Sequence, residues 1–189
     1  MIKIIIRALV NLFTNWKADQ EAAFNDSFII DRRQVFLFLA RTWEGIPYVY
    51  GRNGARDALV DCSGFIVMLF RMLRIWTRKE DYRARDMVDM FTPIYKPKAG
   101  ALVMYGKPGQ PATHVMACLD SKTCIGATGG DSRTTSIAKA KKRDAKVKII
   151  DINYRDDIKC YRWPWGPKEA PPRSPEVLQA LINSRINNQ

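Results

Sequence analysis

The chain has little histidine and no paired-cysteine motif, and both absences limit its chemistry. His114 is the single histidine among 189 residues, and the four cysteines, at 62, 118, 124 and 160, include no Cys-x-x-Cys pair. A metal site of the usual zinc spacing is therefore not predicted. Cys118 and Cys124 lie in apolar, strand-like runs, where reduced cysteine packs as a small hydrophobic residue. We expect free thiols.

Long hydrophobic runs are also missing. No stretch has the length needed to cross a bilayer, so no transmembrane segment is predicted. The first 13 residues are apolar, but Arg7 and Asn11 interrupt them and no A-x-A cleavage site follows, so no signal peptide is recognised and we expect a cytoplasmic protein at synthesis. Apolar residues at helical spacing instead predict an amphipathic helical arm over residues 1–30, packed on the domain's own core, on a partner or on a membrane surface.

Acidic residues are scarce relative to basic ones. Lysine and arginine number 31 against 19 aspartates and glutamates, which gives a net charge of +12. Such a surface attracts polyanions, including nucleic acid, anionic cell-wall polymers and membrane headgroups. No helix-turn-helix, RNP-type or zinc pattern is present, so specific nucleic-acid binding is not predicted. The basic run at 139–148 is interpreted as a solvated face or loop rather than a dedicated binding patch.

Helical patterns come first in the chain and strand patterns second. Helices are predicted over residues 35–43, from Cys62 or just after it to Leu73, and over 81–91. Short apolar or alternating runs follow at 101–105, 115–119, 124–127, 147–152 and 158–163. This segregation is typical of an α+β domain with an antiparallel sheet of about five strands. We place the domain at 31–165, followed by a Pro-rich linker and helical tail at 166–189.

Cys62 and His114 form the candidate catalytic pair. Cys62 stands at the predicted start of a helix, between Asp61 and the small Ser63, where backbone N–H groups and the helix dipole would lower the pKa of a thiol. His114 begins a strand-like run after a loop rich in glycine and proline. A buried structural cysteine and a structural histidine are the plain alternatives. A nucleophile at a helix start with a base at a sheet edge is typical of thiol hydrolases.

Five segments in order resemble the NlpC/P60 family of papain-like cell-wall peptidases. They are residues 45–51, 61–65, 83–87, 99–105, and His114-Val115 leading to 125–127. Any one segment alone would be a weak signal, whereas their shared order and spacing across residues 41 to about 130 is specific. The resemblance implies the papain-like α+β fold of that family, with N-terminal helices followed by the antiparallel sheet.

The resemblance also implies a reaction and a set of site residues. Cys62 would be the nucleophile, His114 the general base that later protonates the leaving amine, and Tyr48 a cleft residue that orients or stabilises the reacting group. Asp61 and Ser63 flank the sulfur where family members contact the peptide stem. The implied reaction is hydrolysis of an amide in peptidoglycan stem peptides, typically between D-γ-glutamate and a diamino acid, through a thioester and without a cofactor.

Three positions depart from the family pattern. Gly126 stands where the family usually has a His, Asn or Gln that orients the catalytic imidazole. A backbone carbonyl, a water, Thr128 or Asp131 would have to substitute, or the site works as a dyad. Arg52 replaces the second glycine of the Tyr-x-x-Gly-Gly motif, and Ala101 replaces the aspartate of Pro-Gly-Asp-Leu.

The leading hypothesis is therefore a peptidoglycan endopeptidase. The appended arms and the absence of a recognisable export signal suggest packaging in a phage or phage-like tail, with the N-terminal helix and C-terminal tail docked on tail proteins. Two alternatives stay open. One is another Cys/His enzyme, such as a CHAP-type amidase or an acyltransferase; the other is a catalytically weak structural or binding module of a tail assembly.

Overall fold

The protein is described by a computed structural model over residues 31–54 and 56–166. The predicted N-terminal arm at 1–30, and all of the predicted tail at 166–189 except Gly166, lie outside the described residues. The domain boundaries at 31 and 165 stay predictions.

Three helices precede the sheet. Helix α1 spans Arg32–Thr42, α2 spans Cys62–Met72 and α3 spans Ala84–Met90. In α1, Phe36 and Ala40 are buried, and their spacing of four residues places both on the face turned to the core. In α2, seven of eleven residues are buried, which makes it the central helix of the core.

The six strands form one antiparallel sheet. They are β1 Thr92–Ile94, β2 Leu102–Tyr105, β3 His114–Cys118, β4 Thr123–Thr128, β5 Lys146–Asp151 and β6 Ile158–Trp163. Their order is β1-β6-β2-β3-β4-β5, and all five pairings are antiparallel. Strands β2 and β3 are therefore central, which places the start of β3 between β2 and β4.

Alternate residues of the central strands belong to two hydrophobic clusters. Val115 and Ala117 of β3 pack in the cluster that contains α2, whereas Met116 and Cys118 pack in a second cluster with Tyr105. This alternation follows from the two-residue period of a strand. Helix α2 thus covers one side of the sheet, and its first residue, Cys62, lies near the start of β3.

The structure confirms the α+β class and adds two elements. The three-residue strand β1 was not predicted, because Pro93 lies within it. A fourth helix, α4 at Ile137–Lys142, lies between β4 and β5 in the run predicted as a solvated face or loop, so the helices do not all precede the sheet. All four cysteines are free thiols, as predicted. Within residues 31–54 and 56–166, no helix is long and apolar enough to cross a membrane.

Candidate active site

One cleft brings together all five site residues predicted from the sequence. It has a volume of about 1120 Å³ and is lined by Tyr48, Asp61, Cys62, Ser63 and His114, among others. Its walls come from the loop before α2, the start of α2, the segment before α3, the β2–β3 loop and the segment that precedes β6. Residues from separate parts of the chain therefore share one solvent-filled space.

The carboxylate of Asp61 fixes the start of α2. Its Oδ1 accepts hydrogen bonds from the Gly64 backbone N–H at 2.7 Å and the Ser63 hydroxyl at 3.1 Å. Its Oδ2 accepts from the Gly51 N–H at 2.9 Å. Asp61 is thus the N-cap of α2 and also ties the helix to the preceding loop. Burial raises the pKa of Asp61 above its ordinary value, although these hydrogen bonds oppose the shift.

Gly64 allows the helix to approach that loop. A Cβ built at position 64 would lie 2.0 Å from the backbone oxygen of Arg52 and 2.8 Å from the Cα of Asn53. The same Arg52 oxygen accepts a hydrogen bond from the Asp61 N–H at 2.8 Å. Because both contacts involve backbone, no side-chain rotation could make room for a Cβ. The glycine of the Asp-Cys-Ser-Gly motif is therefore a packing requirement.

The thiol of Cys62 lies against the backbone at the start of β3. It donates a long hydrogen bond to the Thr113 carbonyl, with Sγ and O 4.0 Å apart, and the N–H of Val115 also faces the sulfur. Burial, followed by the charge of Asp61, raises the pKa of Cys62 to about 12. The sequence-based expectation of a lowered pKa was wrong, because desolvation outweighs the backbone N–H groups at the helix start.

Tyr48 is a buried residue of the cleft wall. Its side chain is 4% exposed, and its backbone N–H donates to the Ala145 carbonyl at 2.9 Å. Burial and the nearby Cys62 and Asp61 raise the pKa of the phenol well above its ordinary value. Tyr48 therefore presents a neutral hydroxyl group next to the thiol.

His114 is the first residue of β3 and is buried against Tyr105. The two residues pair across β2 and β3, and their ring centroids are 5.6 Å apart. His114 is only 7% exposed, and burial, followed by the charge of Arg155, lowers the pKa of its imidazole to about 3. Within the described residues, Nε2 is buried without a hydrogen-bond partner, and no hydrogen bond joins the ring to Cys62. The resting pair is thus a neutral thiol and a neutral imidazole.

The usual place of the third group is filled by Met116. A Cβ at Gly126 would lie 2.8 Å from Cγ of Met116 and 3.2 Å from its Cβ. The two substitutes considered from the sequence are engaged elsewhere. Thr128 shares a hydrogen bond of 3.1 Å with the Tyr154 hydroxyl, and Asp131 forms an ion pair with Arg143 at 2.6 Å. Neither group is hydrogen-bonded to the imidazole.

Sequence reasoning missed Arg155 and Asp157, which line the cleft together with His114. Both are charged residues in the short connection between β5 and β6, and nothing in the local sequence distinguishes them from surface residues. Only the strand order brings them close, because β6 lies beside β2 and β2 beside β3. In the part of the chain that the structure describes, no group of three or more His, Cys, Asp or Glu residues could hold a metal ion.

Comparisons with known proteins agree with this fold. The sequence model of the NlpC/P60 family matches residues 45–150, which is more than half of the chain. No curated protein sequence matches the chain. Two solved structures have a TM-score of 0.55 with it: an NLP/P60 family lipoprotein-like protein from Staphylococcus aureus, at 22% identity, and NlpC2 from Trichomonas vaginalis, at 18%.

The coverage of these structures is uneven. The match to the Staphylococcus protein covers 74% of this chain and 43% of that protein. The match to the Trichomonas protein covers 72% of this chain and 47% of that protein, so this chain spans less than half of each. The NlpC/P60 domain of the peptidoglycan hydrolase SagA, at 20% identity and a TM-score of 0.50, is covered over 97% of its length by 69% of this chain. The shared fold and the family match together show that the chain belongs to the NlpC/P60 family.

Proposed function

We propose that this protein is a cysteine peptidase that hydrolyses amide bonds in peptidoglycan stem peptides. The observation that carries the proposal is the presence of Cys62 and His114 in one cleft, with Cys62 at the capped start of α2 and His114 at the start of β3. Tyr48 and Ser63 contribute hydroxyl groups to the same cleft. The peptidoglycan hydrolase SagA, whose NlpC/P60 domain has a similar fold, supports this class of substrate.

The reaction starts from the neutral pair. With the pKa of Cys62 raised to about 12 and that of His114 lowered to about 3, little free thiolate exists near neutral pH. The proton therefore moves from sulfur to imidazole as the sulfur attacks the amide carbonyl carbon. The imidazolium then protonates the nitrogen of the breaking C–N bond, and the amine leaves. An acyl thioester remains on Cys62.

Water completes the cycle. His114, neutral again, accepts a proton from a water molecule that attacks the thioester carbonyl. The C–S bond breaks, the sulfur regains the proton from the imidazolium, and a free carboxylic acid is released. No redox step or external cofactor enters this balance. We propose the bond between D-γ-glutamate and the diamino acid as the substrate bond, as the family resemblance implies.

The decisive experiment compares wild type with Cys62→Ala on purified murein. Loss of a covalent nucleophile should reduce muropeptide release by about a thousandfold or more. Cys160→Ala is the matched control, because that thiol lies on β6 and outside the cleft. Equal release by wild type and the Cys62 variant would refute the proposal.

Product analysis addresses the two alternatives. Mass spectrometry of the fragments separates an endopeptidase from a CHAP-type amidase, which would cut the bond to the sugar, and from an acyltransferase, which would join rather than release products. A binding module would release no fragments.

Location in a phage or phage-like tail is a separate proposal. The net charge of +12 suits an envelope rich in anionic polymers. The test is mass spectrometry of purified particles from a producing strain. Detection of the chain at a fixed ratio to tail proteins would support the proposal, and its absence from intact particles would refute it.

A further inference from the structure

Among the residues that the structure describes, the imidazole of His114 finds no partner at the atom where a catalytic histidine usually has one. A histidine that uses one ring nitrogen toward a thiol is oriented by a hydrogen bond at the other. Here Nε2 is buried and unpaired within the described residues, and a buried polar atom without a partner is costly. Met116 fills the space over Gly126, so β4 supplies no side chain there.

On the other side of β3, strand β2 lies between His114 and the charged pair of Arg155 and Asp157. Tyr105 of β2 pairs with His114 on one side and with Ile158 of β6 on the other. Its ring contacts the imidazole with centroids 5.6 Å apart, and the guanidinium carbon of Arg155 lies 5.3 Å from the centroid of the same ring. Asp157 immediately precedes Ile158. Arg155 and Asp157 therefore reach the cleft on the β2 side of His114, opposite to Gly126.

Arg155 holds the carboxylate of Asp157 in place. Its Nε donates to Oδ1 at 2.7 Å and its Nη2 to Oδ2 at 2.5 Å, a bidentate pair. The side chains of Arg155 and Asp157 are 34% and 17% exposed, so the pair is partly shielded from solvent. Each carboxylate oxygen has two lone pairs, and the pair with Arg155 leaves capacity for a further donor. A proton on Nε2 would provide that donor and leave Nδ1 free to accept the thiol proton.

We propose that Asp157, held by Arg155, is the positioning residue for the imidazole of His114, in place of the side chain that Gly126 lacks. The inference rests on the proposed function for its catalytic meaning. Its structural content, a carboxylate from the β5–β6 connection acting on the buried ring nitrogen, does not depend on the substrate.

The charges around His114 predict opposite effects for the two members of the pair. The positive charge of Arg155 lowers the pKa of the imidazole, and the negative charge of Asp157 raises it. The other titratable groups near the ring are Cys62 and Asp61 at the start of α2, Tyr48 before it, Tyr105 on β2 and Tyr154 beside Arg155. Removal of the carboxylate should therefore lower the pKa of His114, and removal of the guanidinium should raise it.

The single histidine makes a direct test feasible. Ring ¹⁵N NMR of the full chain gives one pair of imidazole signals, which report the tautomer and the pKa without any substrate. We expect the proton on Nε2 in wild type, a lower pKa in Asp157→Asn and a higher pKa in Arg155→Met. Asp156→Asn is the matched control, because Asp156 is exposed and not part of the cleft lining. An Asp157→Asn spectrum and pKa equal to those of the control would overturn the proposal.

Kinetics on a stem peptide supply the second readout. Asp157→Asn should lower kcat by about 10- to 100-fold with little change in KM, because a misoriented base loses part of the contribution of general base catalysis. The acid limb of the pH profile of kcat/KM, which follows the imidazole, should move to lower pH in Asp157→Asn and to higher pH in Arg155→Met. Equal loss of rate in both variants without movement of the profile would indicate a merely structural ion pair and refute the inference.

The two proposals fail in different ways. If wild type releases no product while the NMR signals respond as expected, the peptidase proposal fails and the positioning contact stands. If wild type is active, Cys62→Ala is inactive and Asp157→Asn behaves like the Asp156 control in both measurements, the peptidase proposal stands and the positioning role is refuted. If Asp157→Asn does not fold, the direction of the pKa change in Arg155→Met decides the question.

Discussion

The two walls of the cleft differ in how their polar groups are satisfied. On the wall formed by the start of α2, the carboxylate of Asp61 accepts three hydrogen bonds, from Gly51, Ser63 and Gly64. On the sheet wall, His114 has a buried nitrogen without a partner in the described part of the chain. The helix start that carries Cys62 is thus held by a dense local network of hydrogen bonds, whereas the imidazole of His114 packs against Tyr105.

This difference indicates where each wall is sensitive. Local hydrogen bonds and close backbone contacts make the helical wall intolerant of added atoms. The sheet wall depends on side-chain packing, which can adjust, and on charges that lie two strands away. We expect substitutions that add atoms to the helical wall to affect folding most, and substitutions on the sheet wall to affect the titration and orientation of the imidazole.

The largest effect is expected from Gly64→Ala. The added Cβ would overlap the backbone of Arg52 and Asn53, which cannot rotate away, so the free energy of unfolding should fall by more than about 3 kcal/mol. Urea denaturation measures this change in the free energy of unfolding. Gly109→Ala is the control, since it has a positive φ but no atom within 4 Å, and should cost about 1 kcal/mol. Equal losses would contradict the close contact at the helical wall.

A pH-dependent loss of stability is expected next, on the sheet wall. Burial lowers the pKa of His114 from 6.5 to about 3, so between these values the unfolded chain binds more protons than the folded one. Stability is therefore lost as pH falls from about 6.5 toward about 3. His114→Gln removes this titration. Thermal unfolding across that range should show a steeper decline for wild type than for the variant, and parallel curves would show that the imidazole is not buried neutral.

A smaller loss of stability is expected when a Cβ is added at Gly126, in the space that Met116 fills. Gly126→Ala places it 2.8 Å from Cγ of Met116, a side chain that can shift, so the cost should be about 1 to 3 kcal/mol. The double variant with Met116→Ala tests the cause. The two changes should be non-additive, with Gly126→Ala costing less in the Met116→Ala background. Additive losses would mean that Met116 does not fill this position.

The smallest effect concerns the N-cap. Asp61→Ala removes the acceptor of the Gly64 and Gly51 hydrogen bonds and should cost about 1 kcal/mol of stability. Asp61→Asn keeps an oxygen acceptor without the charge and should cost less. The same pair reports on Cys62, since the charge of Asp61 contributes to its raised pKa. Both variants should therefore increase the rate of thiol alkylation near neutral pH, and an unchanged rate would contradict that coupling.

Much of the fold was predictable because its signals are local. The helix at Cys62 was predicted from a dense apolar run, and it begins where expected. The five predicted strand runs all correspond to strands, with bounds that differ by at most one residue. The short β1 and α4 were missed for local reasons too: Pro93 suggested a break, and the alternating alanines and lysines of α4 suggested a loop.

The candidate site also contains residues that the sequence predicted and residues that it did not. The sequence placed Tyr48, Asp61, Cys62, Ser63 and His114 together through an ordered family resemblance, and the structure lines one cleft with them. The sequence did not indicate Arg155 and Asp157, because their proximity to His114 arises from the non-consecutive strand order β6-β2-β3. The direction in which the pKa of the Cys62 thiol shifts could not be predicted from neighbouring residues either. It depends on the burial of the helix start, and that burial is set by the segments that pack over it.

The sequence by itself determined the class of fold, and it identified the candidate nucleophile and the single imidazole that could act as its base. It also showed that Gly126 provides no third side chain. Only the tertiary structure decided what occupies that space, Met116, and which charges face the base instead, Arg155 and Asp157. The physical reason is that helix starts and apolar periods are encoded by neighbouring residues, whereas desolvation and long-range charge depend on segments joined by the sheet.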